Sequence, residues 1–317
     1  MNVLVTAVGS FSAEAVIKSL KKDLKCTVIG TDINPGEWLA NSKIVDKIYQ
    51  CPLATTGHLY IQKILKICQE ESIEFIIPLT DPEVDVLSEN CNLFKENNIT
   101  ICVSAPSVIR KCRDKYLVYD IFKDDAKVNI VPTFEFEKFT LKGIDFPFIA
   151  KPKKGRSSEG VFKINNSNEF DNVSKIIGKG NYIAQPFLEG NIYTVDFVQN
   201  LSLNNTQVIA RKELIRNFNG AGLTVEIIND KELENMSIHI GEILGINGCV
   251  NFEFINVNGK FYLIDINPRF SAGIAFSIIA GYDVVKNHLN CFLGKPIEFH
   301  DEFPNIILAK SYTEVIL

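Results

Sequence analysis

Over the first hundred residues, short apolar runs alternate with longer stretches whose apolar positions recur at helical spacing. Strands are predicted at 3–6, 27–31, 75–78 and 99–103, with helices near 12–22, at 58–70 and from about 82 to 95. Ser12, followed by Ala13, Glu14 and Ala15, has the character of a helix start with an acid in its first turn. Strand and helix in alternation predict a parallel sheet covered by helices. Ser104-Ala105-Pro106-Ser107 then breaks the pattern, and Ser107 is placed to cap a helix running to about Lys123. That helix carries Arg110, Lys111, Arg113 and Lys115, a basic face that serves either as solvated surface or as a phosphate contact.

From residue 146 the period changes to that of strands. Residues 146–152 and 162–164 flank a polar loop, 182–190 is an apolar run interrupted by Pro186, and 193–198 and 207–211 follow. Pro186 removes a backbone donor and marks an edge or connector, where main-chain groups can meet a base edge. A basic stretch, 211–216, leads to a small-residue loop at 219–224 that either closes on a substrate or only turns the chain. After a hairpin at 251–269 the chain continues through Phe270-Ser271-Ala272-Gly273 into a helix, and ends in a short segment near 308–312.

The hairpin repays a parity argument. Asn258-Gly259 between two alternating arms is a strong hairpin signal. In a strict two-residue turn with regular strands, Glu253 opposes Ile264 and Asp265 faces away. A three-residue loop with Gly259 as a G1 bulge restores the match and sets Glu253, Asp265, Asn267 and Arg269 on one face. The expected core face is then Phe252, Phe254, Tyr262, Ile264 and Ile266.

Composition narrows the class. At 317 residues, 46 % hydrophobic and 22 % charged, the chain has the makeup of a globular protein of two or three domains. A net charge of −5 argues against a general nucleic-acid surface. The eight cysteines form no CxxC pair, which predicts reduced structural thiols and a cytoplasmic setting. The first residues run straight into a strand without the pattern of a signal peptide, and no apolar run is long enough to span a membrane.

Among chemical motifs, Gly9 after the first strand and Asp32 after the second are spaced like a dinucleotide site, but the second and third glycines are missing. A Rossmann-like scaffold without cofactor is the preferred reading. Lys151 ends an apolar strand and is followed by Lys153-Lys154-Gly155-Arg156-Ser157-Ser158-Glu159-Gly160, whose backbone amides and cations suit phosphate oxygens. Val161 stands where a P-loop needs lysine; in isolation the segment is equally well a hairpin with a polar tip. The four histidines pair with no Ser or Cys nucleophile, and there is no GxSxG elbow.

A strand-ending lysine before a Gly/Ser loop, a break at Gln185-Pro186-Phe187-Leu188-Glu189-Gly190, and Glu253 followed by Asp265-Ile266-Asn267-Pro268-Arg269 together resemble the ATP-grasp superfamily. Within it the chain is most similar to short, single-copy relatives of the carbamoyl-phosphate synthase large subunit. The resemblance implies an α/β and α+β chain: a Rossmann-like domain at 1–106, a first grasp lobe with a phosphate lid at 107–185, and a second lobe with the metal-binding hairpin at 186–317. Lys115 and Lys151 would contact phosphates and Gly155 to Gly160, with Ser157 and Ser158, would form the lid. Gln185 stands where many members carry a Glu facing the adenine amino group, and Pro186, Phe187 and Leu188 resemble the adenine hinge. Ile192 replaces a ribose-binding carboxylate, with Glu189 the nearest substitute. Glu253, Asp265 and Asn267 match magnesium ligands, Asp265 standing where Glu is usual, and Arg269, with Lys151, would steady the transferred phosphoryl group.

The implied chemistry is an ATP- and Mg2+-dependent ligation, with Mn2+ as an alternative ion: a small carboxylic acid becomes an acyl phosphate that an amine or another nucleophile opens, releasing ADP and phosphate. Arg211 and Arg216 are candidates for holding the substrate carboxylate, or for surface positions. No nucleic-acid or membrane partner is expected, and a homodimer is the assembly considered. Two other classes stay open: a catalytically silent nucleotide-binding protein, and an NAD-dependent enzyme using the N-terminal domain.

Overall fold

The computed structural model describes residues 1–22, 24–139, 145–155, 159–177 and 180–317. The N-terminal part runs β1 (Asn2–Val5), α1 (Ala13–Lys22), β2 (Thr27–Asp32), β3 (Lys47–Gln50), α2 (His58–Glu70), β4 (Phe75–Ile77), α3 (Asp81–Glu89), α4 (Cys91–Glu96) and β5 (Thr100–Ile101). The strands form a parallel sheet in the order β3-β2-β1-β4-β5. Val3 and Val5 on one face of β1 pack with Val16, Ile17 and Leu20 of α1, while Leu4 on the other packs with Ile61, Ile64 and Ile67 of α2. Both faces of the strand are covered, as a parallel sheet requires.

Two features depart from expectation. β3 has polar ends and no fully buried residue, so it carries little strand signal. The helix expected over 82–95 is two helices broken at Asn90, whose side-chain amide donates to the Val86 carbonyl at 2.8 Å. The acid suspected of binding a ribose is spent within the fold: Asp32 accepts the Gly9 N–H at 2.8 Å on one carboxylate oxygen and the Asn34 N–H at 2.9 Å on the other. It fixes the turn that follows β1.

α5 (Pro106–Arg113) and α6 (Lys115–Phe122) replace the single helix expected from Ser107 to Lys123. Pro106 opens α5, so Ser107 lies inside it and caps nothing. The break falls at Asp114, whose carboxylate accepts the N–H groups of Tyr116 and Leu117, both at 3.1 Å, and caps α6.

β6 (Phe134–Glu135), β7 (Phe148–Pro152), β8 (Phe162–Ile164) and β9 (Tyr182–Pro186) make an antiparallel sheet ordered β6-β9-β7-β8, backed by α7 (Ser167–Ile176). Pro186 was expected on an edge or connector. β9 instead lies inside the sheet, and Pro186 ends it opposite Phe148, where the ladder needs no further donor.

The largest sheet is antiparallel, in the order β14-β13-β10-β11-β12-β15: β10 (Asn191–Asn200), β11 (Asn205–Arg216), β12 (Gly222–Ile228), β13 (Gly248–Val257), β14 (Lys260–Asn267) and β15 (Ile307–Ala309). Residues 207–216 are thus one strand. One face packs Val195, Phe197, Phe252, Phe254 and Leu263 against α8 (Lys231–Leu244), α5 and α6. The other face is divided. Val198, Ile209 and Cys249 pack under α10 (Val284–Phe292) with α9 (Ile274–Ile279) beside it, whereas Thr194, Arg211, Glu213, Asn251 and Glu253 floor an open cleft.

The expected turn at Gly259 is corrected in detail. Val257 pairs directly with Lys260, so Asn258-Gly259 is a two-residue turn, with φ of 52° and 86°. The ladder slips further along: Phe254 pairs with Leu263 and Glu253 with Asp265, which leaves Ile264 as the extra residue of a β-bulge. The bulge restores the parity between Glu253, Asp265 and Asn267, but from a different place. Accordingly Phe261 and Leu263, not Tyr262 and Ile264, fill the core beside Phe252, Phe254 and Ile266.

Candidate active site

A cleft of about 360 Å³ opens between the four-stranded and six-stranded sheets. Asn251, Glu253, Asp265 and Asn267 form its floor at the bulged end of the hairpin. The Asn267 side-chain amide donates to a Glu253 oxygen at 3.3 Å and lies 3.4 Å from the Asn251 oxygen. Lys115 and Lys151 enter from above. Lys115, first residue of α6, ion-pairs Asp265 at 3.0 Å, and Lys151, on β7, lies 3.4 Å from the Ile264 carbonyl that the bulge turns outward. Arg216, at the end of β11, ion-pairs Glu253 at 3.1 Å and donates from Nε to the Gly220 carbonyl at 2.7 Å.

The electrostatics follow from crowding. Burial pushes the Lys151 ammonium down to about 8, and the neighbouring Lys115 charge adds to the shift against the pull of Asp265 and Glu253. Burial raises the Glu253 carboxyl; Arg216 opposes this, while Asp265 and Glu213 push it further. Two lysines and Arg216 facing two carboxylates, one of them raised, leave the cleft with an excess of positive charge. An ATP phosphate chain would take the lysines and a divalent cation the carboxylates.

The donor set fits that cation. Among the described residues no group of three or more His, Cys, Asp or Glu side chains is arranged to hold a metal. Here the set is two carboxylates and an amide on adjacent strands, hard oxygen donors of the kind magnesium takes beside substrate phosphates.

Of the residues singled out from the sequence, Lys115, Lys151, Gly155, Arg211, Arg216, Glu253, Asp265, Asn267 and Arg269 line one cleft. Ser157 and Ser158 lie outside the described residues, as does Arg156 between Gly155 and Gly160. Gln185 to Glu189 stand apart from this lining. Gln185 opposes Ile149 across β7, on the face that also carries Lys151, and its amide donates to the Thr133 hydroxyl at 2.7 Å, which leaves its oxygen as acceptor. The Phe187 N–H is taken by the Pro147 carbonyl at 3.2 Å.

Thr194, Glu213 and Asn251 line the cleft and Asp81 stands behind it, and none of the four was singled out from the sequence. Arg269 makes a two-pronged ion pair with Asp81 at the start of α3, and Asp81 also meets Arg113 at 3.3 Å. Arg211 lines the cleft but is buried, with one guanidinium nitrogen 2.6 Å from Asp196 and the other on Ser271 at 2.8 Å. Glu213 and Thr194 stand beside it. A local hint exists for Asp81 alone: Thr80-Asp81-Pro82-Glu83 is a helix start in which Glu83 accepts from the Thr80 N–H and hydroxyl at 3.2 and 2.7 Å.

Residues 112–273, about half of the chain, match the family profile described as ATP-grasp domain. The chain belongs to the ATP-grasp family. Residues 3–102 match the profile of a PylC-like N-terminal domain. The D-alanine–D-alanine ligase of Petrotoga mobilis is 23 % identical over 214 residues, covering 59 % of this chain and 71 % of that enzyme. The carbamoyl phosphate synthase large chain of Clostridium botulinum is 23 % identical over 328 residues, covering 95 % of this chain but only 30 % of its own length. The chain therefore spans about seven tenths of one relative and under a third of the other. Among solved structures, the biotin carboxylase domain of Hydrogenobacter thermophilus 2-oxoglutarate carboxylase, determined with MgADP and bicarbonate, superposes with a TM-score of 0.75 at 22 % identity, covering 94 % of this chain and 70 % of that one. The Rossmann-like and two-lobed grasp architecture expected from the motifs is the one found.

Proposed function

We propose that this ATP-grasp protein is a carboxylate–amine ligase, using ATP to activate a small carboxylic acid that an amine or another nucleophile then captures. The observation that carries the reading is the row Glu253, Asp265 and Asn267 facing Lys115 and Lys151 across one cleft. The proposed division of labour is by domain: 1–106 as scaffold, 107–185 supplying the lysines and lid, and 186–317 supplying the hairpin. Glu253, Asp265 and Asn267 would hold magnesium, which supplies charge neutralisation to the phosphates when bound.

The chain's own groups do the rest. Lys115 and Lys151 neutralise phosphate oxygens, and exchanging Asp265 for phosphate frees Lys115 from its present ion pair. Gln185, with its oxygen left as acceptor, is assigned to the adenine amino group, and the main chain of Pro186 to Leu188 to the base edge, Glu189 lying next to the ribose. Among the described residues the Leu188 N–H has no protein acceptor, so it is the hinge amide available to the base. Arg269 is assigned to the γ-phosphoryl group, held at the cleft by Asp81. Attack by the substrate carboxylate on that phosphorus gives ADP and an acyl phosphate; the nucleophile then displaces phosphate. No protein nucleophile is required, only alignment and charge.

Magnesium is the ion proposed, with manganese as substitute, and a homodimer as the assembly. Among the described residues no helix is long and apolar enough to cross a membrane, and all eight cysteines are free thiols, which suits a reducing cytoplasm. Magnesium-dependent ADP release, screened with acid and amine pairs, tests the reading. Glu253→Gln combined with Asn267→Ala should abolish release with an unchanged far-UV circular dichroism spectrum. Undiminished turnover in that variant would refute the assignment.

A further inference from the structure

Three side chains form a row across the four-stranded sheet. Phe134 pairs with Ala184 and Ile149 with Gln185, so continuing the β6–β9 register by one residue sets Thr133 opposite Gln185. Thr133, Gln185 and Ile149 therefore share one face, and Ile149 lines the cleft. Thr133 is 2 % exposed and Gln185 7 %, so their polar atoms are matched by protein and ligand more than by water.

The Thr133 hydroxyl has a single proton, and the Val131 carbonyl takes it at 2.8 Å. Toward Gln185 the same oxygen can then only accept, and the Gln185 amide donates to it from Nε2 at 2.7 Å. Turning the amide over would set oxygen against oxygen, or else draw the proton away from Val131, whose buried carbonyl has no other donor among the described residues. Gln185 Oε1 is the end left free. No donor among the described residues reaches it, and it is not sealed in the interior.

A glutamate in this place would show an oxygen to the base however it turned. A glutamine carries one acceptor and one donor, and a neighbour has to choose between them. We propose that Thr133 is the positioning residue that makes this choice, locking Gln185 oxygen-outward so that the site takes a purine with a 6-amino group and refuses one with a 6-oxo group; this rests on the assignment of Gln185 to the base in the ligase reading. A 6-amino group donates to Oε1, whereas a 6-oxo oxygen meets it acceptor against acceptor. Without the Thr133 hydroxyl the amide is free to turn and serve either base.

The test titrates ADP and inosine diphosphate, each with magnesium, into the intact chain by calorimetry, so that no acid or amine is needed. The wild type should bind ADP about tenfold or more tightly, because one contact is made with adenine and opposed with hypoxanthine. Thr133→Val removes the hydroxyl and keeps the shape; it should shrink that ratio about fivefold or more, with inosine diphosphate bound more tightly than by the wild type. A merely structural role would weaken both ligands alike and leave the ratio unchanged. Thr133→Ser restores the hydroxyl and should keep the wild-type ratio, and Thr133→Ala replaces the valine variant if that one fails to fold. In Gln185→Glu both ends are acceptors, so adding Thr133→Val there should leave the ratio unmoved. The proposal is overturned if the wild type binds both diphosphates equally, if loss of the hydroxyl leaves the ratio as it was, or if Thr133→Ser relaxes it as far as valine does. A wild type that binds neither diphosphate would defeat the nucleotide reading of the cleft and this inference with it, an outcome distinct from equal binding.

Discussion

Asp81 and Arg269, 188 positions apart in the chain, meet in a two-pronged ion pair with both contacts at 3.0 Å. Asp81 begins α3 after the fourth strand of the parallel sheet, and Arg269 follows the metal-type hairpin. The pair therefore fastens the N-terminal scaffold to the cleft floor, and Arg113 joins it from α5. The arginine assigned to the phosphoryl group owes its position to a residue of a different sheet layer.

Removing that carboxylate should cost both stability and turnover. Asp81 is buried, so Asp81→Asn leaves Arg269 without its counter-ion and Arg113 with Asp85 alone, a loss of about 3 kcal/mol. Burial pushes the Asp81 carboxyl up, but Arg269 and Arg113 outweigh it and hold it below the usual carboxylate value. A lowered folded value means that the contribution is complete above about pH 4 and fades as pH falls through the folded value. Urea denaturation should show a gap between wild type and variant that is constant from pH 6 to 8 and closes in acid. ADP release by the variant should fall about tenfold or more.

How much of this was legible depends on the range of the interaction. Helix α2 and the strand alternation in β1 are carried by local periodicity and could be read directly. The parity between Glu253 and Asp265 could be read too, since a bulge at either place gives the same cluster. Its position could not: Phe261-Tyr262-Leu263-Ile264 is apolar throughout, so every register offers plausible core residues. Asp114 was missed because Arg113-Asp114-Lys115 continues a helical pattern, and only the cap geometry shows the break. Glu213 and Asp81 depend on partners from other strands or other layers, and no spacing in the chain announces them; Arg211 could be read as a candidate, but not its burial against Asp196 and Ser271.

Lys151 should make nucleotide binding pH-dependent. Its folded value near 8 lies below the unfolded value of about 10.4, so the free protein loses this charge early. Between those values the unfolded chain binds the extra proton, and this group makes the fold more stable as pH rises. Phosphate binding needs the charged form and runs the other way. In EDTA, the ADP dissociation constant measured by calorimetry should rise through pH 8 and climb toward tenfold per unit above it. Lys151→Arg should flatten the profile, and a flat wild-type profile would refute this role.

The bulge at Ile264 adjoins the metal-type ligands. Deleting Ile264 makes the ladder regular from the two-residue turn onward and leaves Asp265 opposite Glu253 and Asn267 opposite Asn251, so the ligands keep their face. ADP formation should survive and Phe261 and Leu263 should keep their packing; loss of activity would show that the bulge itself, whose Ile264 carbonyl lies beside Lys151, is needed. Gly259→Ala acts on the turn alone: at φ of 86° an added Cβ costs about 1 kcal/mol, with turnover near that of the wild type. Denaturation and ADP assays on the two variants separate turn from bulge.

Asp32 separates the scaffold reading of the N-terminal sheet from the dinucleotide reading. Its carboxylate accepts the Gly9 and Asn34 N–H groups, and its burial leaves it turned toward the protein. Asp32→Ala should therefore cost stability, about 1–2 kcal/mol for charge-assisted hydrogen bonds to the backbone. NADH should shift the melting temperature of neither protein. ATP with magnesium should raise both by the same increment, because the turn after β1 supports the fold while the nucleotide contacts come from β7, β9 and the hairpin. A melting shift with NADH that Asp32→Ala removes would overturn the scaffold role and restore Asp32 as a ribose ligand.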